Sequence, residues 1–386
     1  MSLYLGVRPG RQRALPRAQL APVGEGGRAR VSGELRVVVV VAARDEACVI
    51  ERKLRNLARI DWPASPARPH MLVVVDDGSR DPTVALARQW AAHAEVNASV
   101  RVLENRGPAG KSGAIRWALG VLERENESFD LVVLSDADVI LERAALTALV
   151  KAFRTQPRLG VACGSQTFVH ALANSGSVLG PGGESPAPAG EFYDRLTAWV
   201  RAVESRAGRL FSVHGQLCAW RFGQGFEPPT GLAADDIELG LRARSGGWRV
   251  ARVRDANFFE EKKRGREGAL QAERRALAYF QLVRRRRRPG GSWIDSVQWW
   301  LYRTLPPAAP FVFALALVAG VLVSTLSYGF AGFVASGAAV ALALRLSPGR
   351  TLLRRLAVIV KAQRAPLELS DRWDTLRSGT GVPEGP

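Results

Sequence analysis

The feature that most restricts this chain is an uncharged apolar run. Residues 311–344 are 34 consecutive positions without one Asp, Glu, Lys or Arg. As one straight helix the run would measure ~51 Å, against a hydrocarbon thickness of ~30 Å. Two passes of about 17–19 residues fit better, with Ser327, Tyr328 and Gly329 at the turn. The first pass starts near Leu305, and Pro306, Pro307 and Pro310 mark its first turns. Trp293, Trp299, Trp300 and Tyr302 precede it and read as an interfacial aromatic belt. Arg303 lies before the pair, and Arg345, Arg350, Arg354 and Arg355 lie after it. Basic residues at both ends place both ends in the cytoplasm, as a two-pass hairpin requires. The alternative is a helical hairpin buried in a soluble core, which runs of this length and composition disfavour. Residues 351–364 mix Leu, Ile and Val with Arg and Lys. They read as an amphipathic helix on the membrane surface or as a solvated tail helix.

Charge follows the same geography. The chain carries 54 Lys plus Arg and 36 Asp plus Glu, a net +18. Residues 37–261 hold 27 of each sign and are neutral, while residues 1–36, 262–288 and 345–377 carry +5, +9 and +5. A nucleic-acid binder spreads positive charge over its folded face. Here basic blocks bracket an apolar segment, which points to an anionic membrane and not to nucleic acid. Only six of the basic residues are Lys, so an Arg-rich bias accounts for part of the excess. Three Cys without a C-x-x-C pair exclude a disulfide scaffold and a Cys-based zinc site, and fit a reduced compartment. Residues 1–35, rich in Arg, Pro and Gly, read as a flexible basic arm with neither a signal peptide nor a first membrane helix. The expected organisation is therefore this arm, a domain over 36–290, an interfacial segment with two membrane helices over 291–346, and a basic cytoplasmic tail over 347–386.

Between residues 36 and 253 strand-like and helix-like stretches alternate. Residues 36–43 contain five consecutive Val, the mark of a strand buried on both faces. Further strands are expected at 71–75, 100–103 and 131–134. Helices are expected at 46–57, from Asp81-Pro82 to about His93, and at 111–122. This rhythm predicts an α/β sandwich with a mainly parallel sheet, whose ligands bind beyond the carboxyl ends of the strands.

Polar clusters stand where those strands stop. They are Ala43-Arg44-Asp45-Glu46, Asp76-Asp77-Gly78-Ser79, Gly110-Lys111-Ser112-Gly113, Asp136-Ala137-Asp138 and, about 100 residues later, Asp235-Asp236. Two carboxylates one residue apart, Asp136 and Asp138, suit a hard cation shared with phosphate oxygens, Mg²⁺ or Mn²⁺. Such an ion neutralises a diphosphate leaving group. Asp76 and Asp77 can accept hydrogen bonds from a base or ribose. Lys111 at a helix start can meet phosphate. Asp236 can take a proton from an attacking hydroxyl. Each cluster alone is a weak signal: a lone D-x-D is usually a turn, and acids at 235 and 236 usually cap a helix. The ordered set carries the argument. The stretch from Gly107 to Ser112 mimics a phosphate loop, but Asn105 stands where that motif needs Gly. Two glycosylation sequons, at Asn97 and Asn126, mean little on a cytosolic face. The four His are scattered, and His214 is notable only for its neighbour Gly215.

In this order the clusters resemble the family 2 glycosyltransferases with the GT-A fold, over roughly 36–288. The likeness is greatest to the membrane polysaccharide-synthase branch, which makes cellulose, hyaluronan and poly-N-acetylglucosamine. The resemblance implies that Ala43, Arg44, Glu46, Asp76, Asp77 and Lys111 bind the nucleotide-sugar donor, a UDP- or GDP-sugar. It implies that Asp136 and Asp138 hold the metal, Asp136 also meeting substrate. Asp236 falls at the branch's T-E-D base, with Asp235 in place of the Glu, and Gly215 begins a loop like its acceptor-side loop. The branch ends its catalytic domain in QxxRW. Here Gln271 and Arg274 match, while Arg275 replaces the Trp that helps hold the acceptor sugar, which departs from processive synthases. Residues 170–190, rich in Gly, Pro, Ser and Ala, read as a loop near the acceptor opening or a passive insertion. The expected activity is inverting, metal-dependent transfer to a lipid-linked or polysaccharide acceptor by a multi-pass protein of the inner or plasma membrane. The alternatives are a transfer-impaired scaffold serving synthase partner subunits, and a single-sugar transferase to polyprenyl phosphate.

Overall fold

The computed structural model describes residues 34–64, 68–169, 171–172, 192–225, 227–263, 265–286, 290–345 and 347–364. The expected arm before residue 34, all of the expected 170–190 loop but residues 171–172, and the tail beyond 364 lie outside these residues.

Five valines in a row make β1, Val37–Ala43, buried along its whole length. Burying each such side chain stabilises the fold by about 1.5–3 kcal/mol relative to exposure, so this strand can sit only at the centre of a covered sheet. It pairs in parallel with β2, Met71–Asp76, and with β4, Leu131–Ser135. Strand β3, Ser99–Glu104, adds to β2 in parallel. Helices α1, Ile50–Arg59, α2, Thr83–Ala92, and α3, Lys111–Arg124, connect these strands. Alternate β1 residues enter two cores, Val37, Val39 and Val41 facing α1 and Val38 and Val40 facing α3.

The rest of the sheet is mixed. Its order is β3-β2-β1-β4-β7-β6-β8-β5, using β5, Val139–Leu141, β6, Leu159–Val169, β7, Leu217–Arg221, and β8, Arg249–Glu261. Pairs β4·β7, β7·β6 and β8·β5 are antiparallel, and only β6·β8 is parallel. The expected mainly parallel sheet thus describes the first half, β1 to β4, and the second half is mixed. Helices α4, Ala145–Thr155, α5, Phe192–Arg206, and α6, Asp235–Ser245, surround the second half, and α7, Gly265–Arg285, follows β8.

Helix α8, Trp293–Arg345, runs on to Gly329, whose φ of 60° and ψ of −145° break it into two arms. That is the turn read from the sequence. Its apolar side chains are exposed, and the helix is long and apolar enough to cross a membrane. After the second arm comes α9, Ser347–Arg364. Gln363 Nε2 donates to Pro307 O at 2.7 Å, so the chain returns to the level from which the hairpin departs.

The aromatic belt divides. Trp293 and Trp300 are exposed, but Trp299 is buried and Tyr302 stacks on Phe211 at 3.8 Å between centroids. These two residues dock α8 on the domain instead of lining an interface. Beside them Asp295 accepts hydrogen bonds from Arg209 NH1 and from Arg244 Nε at 3.0 Å. Burial alone would raise this carboxyl, but the two guanidiniums outweigh it and hold it down to about 2.

Candidate active site

The clusters meet at one edge of the sheet, beyond the ends of β1, β2 and β4. Ala43 O accepts from Asp77 N at 2.9 Å, joining the first two. Asp76 turns onto its own loop, taking Gly78 N at 2.9 Å and Ser79 N at 3.0 Å. Asp77 is buried and accepts from Asn105 Nδ2 at 2.7 Å and Gly110 N at 2.8 Å, with Arg44 NH1 3.7 Å away. Glu46 uses its backbone here, N donating to Thr83 Oγ1 and O starting α1.

Asp77 therefore sets the start of α3. The loop before it is tight: a Cβ on Gly113 would lie 2.0 Å from Pro108 O, so only Gly fits there. In the first turn of α3, Lys111 Nζ donates to Asp136 Oδ1 at 2.5 Å and Ser112 Oγ donates to Asp235. Two neighbouring side chains thus tie the D-x-D to the acidic pair of α6. Burial works against the charge on Lys111, but Asp136, Asp235 and Asp236 outweigh it and raise its pKa.

Asp236, the second residue of α6, accepts from Ile237 N at 2.7 Å and Gly215 N at 3.2 Å. A Cβ on Gly215 would lie 3.1 Å from Asp236 Oδ2, so the loop before β7 approaches the carboxylate as backbone. Asp235 accepts from Asp236 N at 2.9 Å. A helix N-terminus favours the carboxylate anion, yet burial, reinforced by Asp235, pushes Asp236 up to about 7. That value suits a group that takes up and releases a proton near neutrality.

Burial also raises Asp136, with Asp138 and Asp235 adding to the effect against Lys111. Asp138 is a quarter exposed, with Lys263 Nζ at 3.8 Å. Among the described residues no three or more His, Cys, Asp or Glu side chains gather into a complete metal shell. Two carboxylates alone supply part of an oxygen shell, which fits Mg²⁺ or Mn²⁺ completed by substrate oxygens and water. Asp136, Asp138, Asp235 and Asp236 are faced by three lysines, the buried Lys53 and the partly exposed Lys111 and Lys263. A further cation fits that balance.

Several site residues escape the sequence reading. Lys53 is fully buried beneath the D-x-D, where Nζ donates to Ser135 Oγ at 2.6 Å and Val139 O at 3.2 Å, bracketing the acidic triplet. One turn on, Asn56 exchanges two hydrogen bonds with the backbone of Leu141. Burial lowers Lys53 to about 7 against the pull of Asp136 and Asp138. A signal existed: Lys53 lies on the stripe of Ile50, Leu54 and Leu57. Glu260 likewise follows Ala256 and Phe258 on the inward face of β8. It is buried, and burial raises its pKa. Glu260 accepts from Gln166, Gln216 and Gln271, and Arg275 NH2 lies 3.6 Å away. Gln271 thus touches the site through Glu260 at 3.4 Å. Arg274 and Arg275 are both exposed, and Arg275, four residues on from Gln271, is the one that comes within 3.6 Å of Glu260.

Residues 35–290 match the profile of the glycosyltransferase like family 2. Poly-β-1,6-N-acetyl-D-glucosamine synthase of Staphylococcus aureus (strain MSSA476) is 25% identical over 217 residues, 55% of this chain and 47% of that protein. The same synthase of strain COL matches over the same length at the same identity. The chain spans about half the length of these relatives. A solved mannosyltransferase, PcManGT from Pyrobaculum calidifontis in complex with GDP-Man and Mn²⁺, superposes with a TM-score of 0.62 at 23% identity. That match covers 86% of this chain and 87% of that one, and the shared architecture is the GT-A fold. With the family profile spanning the whole sheet and every acidic cluster at its edge, the chain belongs to the glycosyltransferase like family 2.

Proposed function

We propose that the protein transfers a sugar from a nucleoside diphosphate, a UDP- or GDP-sugar, to an acceptor hydroxyl with inversion at the anomeric carbon. The observation that carries this reading is the α3 turn, where Lys111 holds Asp136 and Ser112 holds Asp235 beside Asp236. Donor and acceptor chemistry are thereby adjacent. Asp236 takes the hydroxyl proton as the acceptor oxygen bonds to the anomeric carbon. The bond to the diphosphate breaks with its electron pair, and Lys111 faces the charge that appears. Asp136 and Asp138 would hold Mg²⁺ or Mn²⁺, which supplies further positive charge to the leaving group. One displacement from the far face inverts the configuration.

PcManGT was solved with GDP-Man and Mn²⁺, which supports a nucleotide-sugar donor and a divalent ion. Likeness to polysaccharide synthases, together with an exposed apolar hairpin that returns to its starting level, supports work at a membrane. In this reading the catalytic domain sits on the cytoplasmic face of the inner or plasma membrane and uses a lipid-linked or glycan acceptor. Arg275 in place of Trp favours transfer of single sugars over processive synthesis.

The decisive test is Asp236→Asn. It should lower transfer about 10²–10⁴-fold and leave nucleotide binding intact. In the native protein kcat/KM should rise about tenfold per pH unit up to about 7 and then level, because the base must lose its proton to act. Transfer by the Asn variant within a few-fold of native would remove Asp236 from the role. Absence of metal-dependent donor turnover in the native protein would favour the scaffold reading.

A further inference from the structure

The catalytic domain covers its large apolar side chains with one exception. Among the described residues before α8, only Trp199 and Val203 of α5 are large, apolar and exposed, at 64% and 44%. Four residues apart, they share one side of the helix. The other side faces the protein: Arg201 NH1 lies 3.2 Å from His214 Nε2, and Ser205 Oγ accepts from Arg252 N at 2.8 Å. Packing within the domain therefore gives the outward tryptophan and valine no partner, and apolar area left in water in this way marks a contact with something else when it continues into a larger apolar surface.

It does continue, into the root of the hairpin. Glu204 of α5 accepts from Gln298 Nε2 and from Tyr302 OH at 2.9 Å, and five residues on Arg209 reaches back to Asp295. Contacts that advance along one segment retreat along the other, so α5 and the first turns of α8 lie side by side and antiparallel. Asp295 and Trp299 face α8 into the domain and leave Trp293, Val297 and Trp300 exposed on its outer side. Both helices thus turn their apolar sides away from the sheet, and the stripe on α8 runs on into the exposed Phe311 and Leu315 of the apolar arm. Within 197–206 and 293–305 the exposed charged side chains are Arg206 and Arg303, while Asp295 is buried and Glu204 half-buried.

We propose that α5 is a second membrane contact, with Trp199 and Val203 seated, beside Trp293, Val297 and Trp300, in the headgroup region of an anionic bilayer. Tryptophan suits that depth, because its ring is apolar and its N–H stays wet. Arg206 and Arg303 meet lipid phosphates at the edge of the contact. A second copy of the chain fits less well, since a two-fold interface would bring these basic edges together. The placement rests on reading α8 as membrane-spanning and deepens it: a hairpin alone leaves the domain free to swing about its root, whereas two contacts fix which side faces lipid. His214, and Gly215 that donates to Asp236, then lie behind α5, one helix diameter, ~10 Å, from the headgroups.

The test uses the full-length protein in nanodiscs of phosphatidylcholine and phosphatidylglycerol, with a fluorophore on a single cysteine. Cys163 and Cys218 are buried, so Cys48→Ser removes the exposed competitor. Labels go on Val203→Cys, on Val297→Cys, on Leu322→Cys in the hairpin, and on Arg88→Cys of α2, beside the edge strand β3. Lipids brominated near the headgroup end of the chain quench by contact. Emission at 203, 297 and 322 should fall, and at 88 it should not. Arg206→Gln should lower the ratio of docked to free domain, read as quenching at 203, about fivefold, and omitting phosphatidylglycerol should lower it too. A label on Trp199→Cys repeats the measurement, so that misfolding of one variant leaves the other. Quenching at 322 without quenching at 203 and 199 would overturn the contact. Disulfide-linked dimers of Val203→Cys without quenching would overturn it in favour of a second copy. Absence of quenching at 322 would instead count against the hairpin as a membrane span, on which the placement rests.

Discussion

At the donor end of the site each carboxylate has a cationic or hydrogen-bonding partner within the protein. Asp77 holds Gly110 and Asn105, Asp136 holds Lys111, Asp235 holds Ser112, and Asp236 holds Gly215 and Ile237. Around His214, among the described residues, no carboxylate pairs with the guanidinium of Arg201 or Arg252, and Arg252 Nε is buried without a hydrogen-bond partner. Both ends use buried charge and differ in what completes it. The donor end is set before substrate arrives, so its dipoles need no reorganisation during reaction. The His214 side carries positive charge that no carboxylate balances among the described residues. Helix α6 joins them, with Asp235 and Asp236 at its start and Arg244, tied to Asp295 of α8, near its finish.

Cutting that join is the strongest way to break the comparison. Asp295→Asn strands Arg244 and Arg209 beside a neutral partner, and loss of one member of a buried pair costs about 3–5 kcal/mol; urea unfolding measures it. The same contact sets an acid limit. Because the folded carboxyl sits at about 2, below its unfolded value of about 3.9, its stabilisation is complete above about pH 4 and lost between about pH 4 and 2. The Asn variant should lack that decline.

Asp138→Asn probes the donor end alone. Turnover should fall about 10²–10³-fold with a raised Mn²⁺ requirement, while the surroundings of His214 stay as in the native protein. Equal loss at both ends would mean that the two are not separable. Lys53→Met sharpens the claim of preset geometry. It removes the clamp on Ser135 and Val139 without touching either carboxylate, and should weaken Mn²⁺ affinity about 10–100-fold, the usual reach of supporting residues. An unchanged Mn²⁺ titration would show that the D-x-D holds its shape unaided. The smallest effect belongs to Arg101→Gln, which breaks the surface pair with Glu125. Stability should drop only slightly, as for other solvent-exposed ion pairs, with transfer unchanged, a baseline for the other variants.

What was legible in advance depended on how local its cause is. Five valines require a strand covered on both faces, so β1 and its parallel neighbours could be placed. Gly329 breaks α8 where an uncharged run exceeds one membrane crossing. Trp299 and Tyr302 went to the aromatic belt because an interfacial ring and a docked ring share one composition; Phe211 and Glu204 on distant elements decide between them. Arg274 and Arg275 are both within a helical turn of Gln271, and only the packing of α7 selects the one that reaches Glu260. The antiparallel pairings of β7 escaped because strand direction follows from crossovers, which periodicity does not record.

By itself the sequence determined the α/β half-sheet, the apolar hairpin and the set of acids at strand ends, because burial periodicity and charge are properties of neighbouring residues. Tertiary structure alone decided that Lys111 and Ser112 bind the two acidic clusters together, that Lys53 braces the D-x-D turn from below, and that three arginines gather around His214. Each of these depends on side chains brought close from far apart in the chain, where burial strips water from charge and makes every partner, or its absence, count.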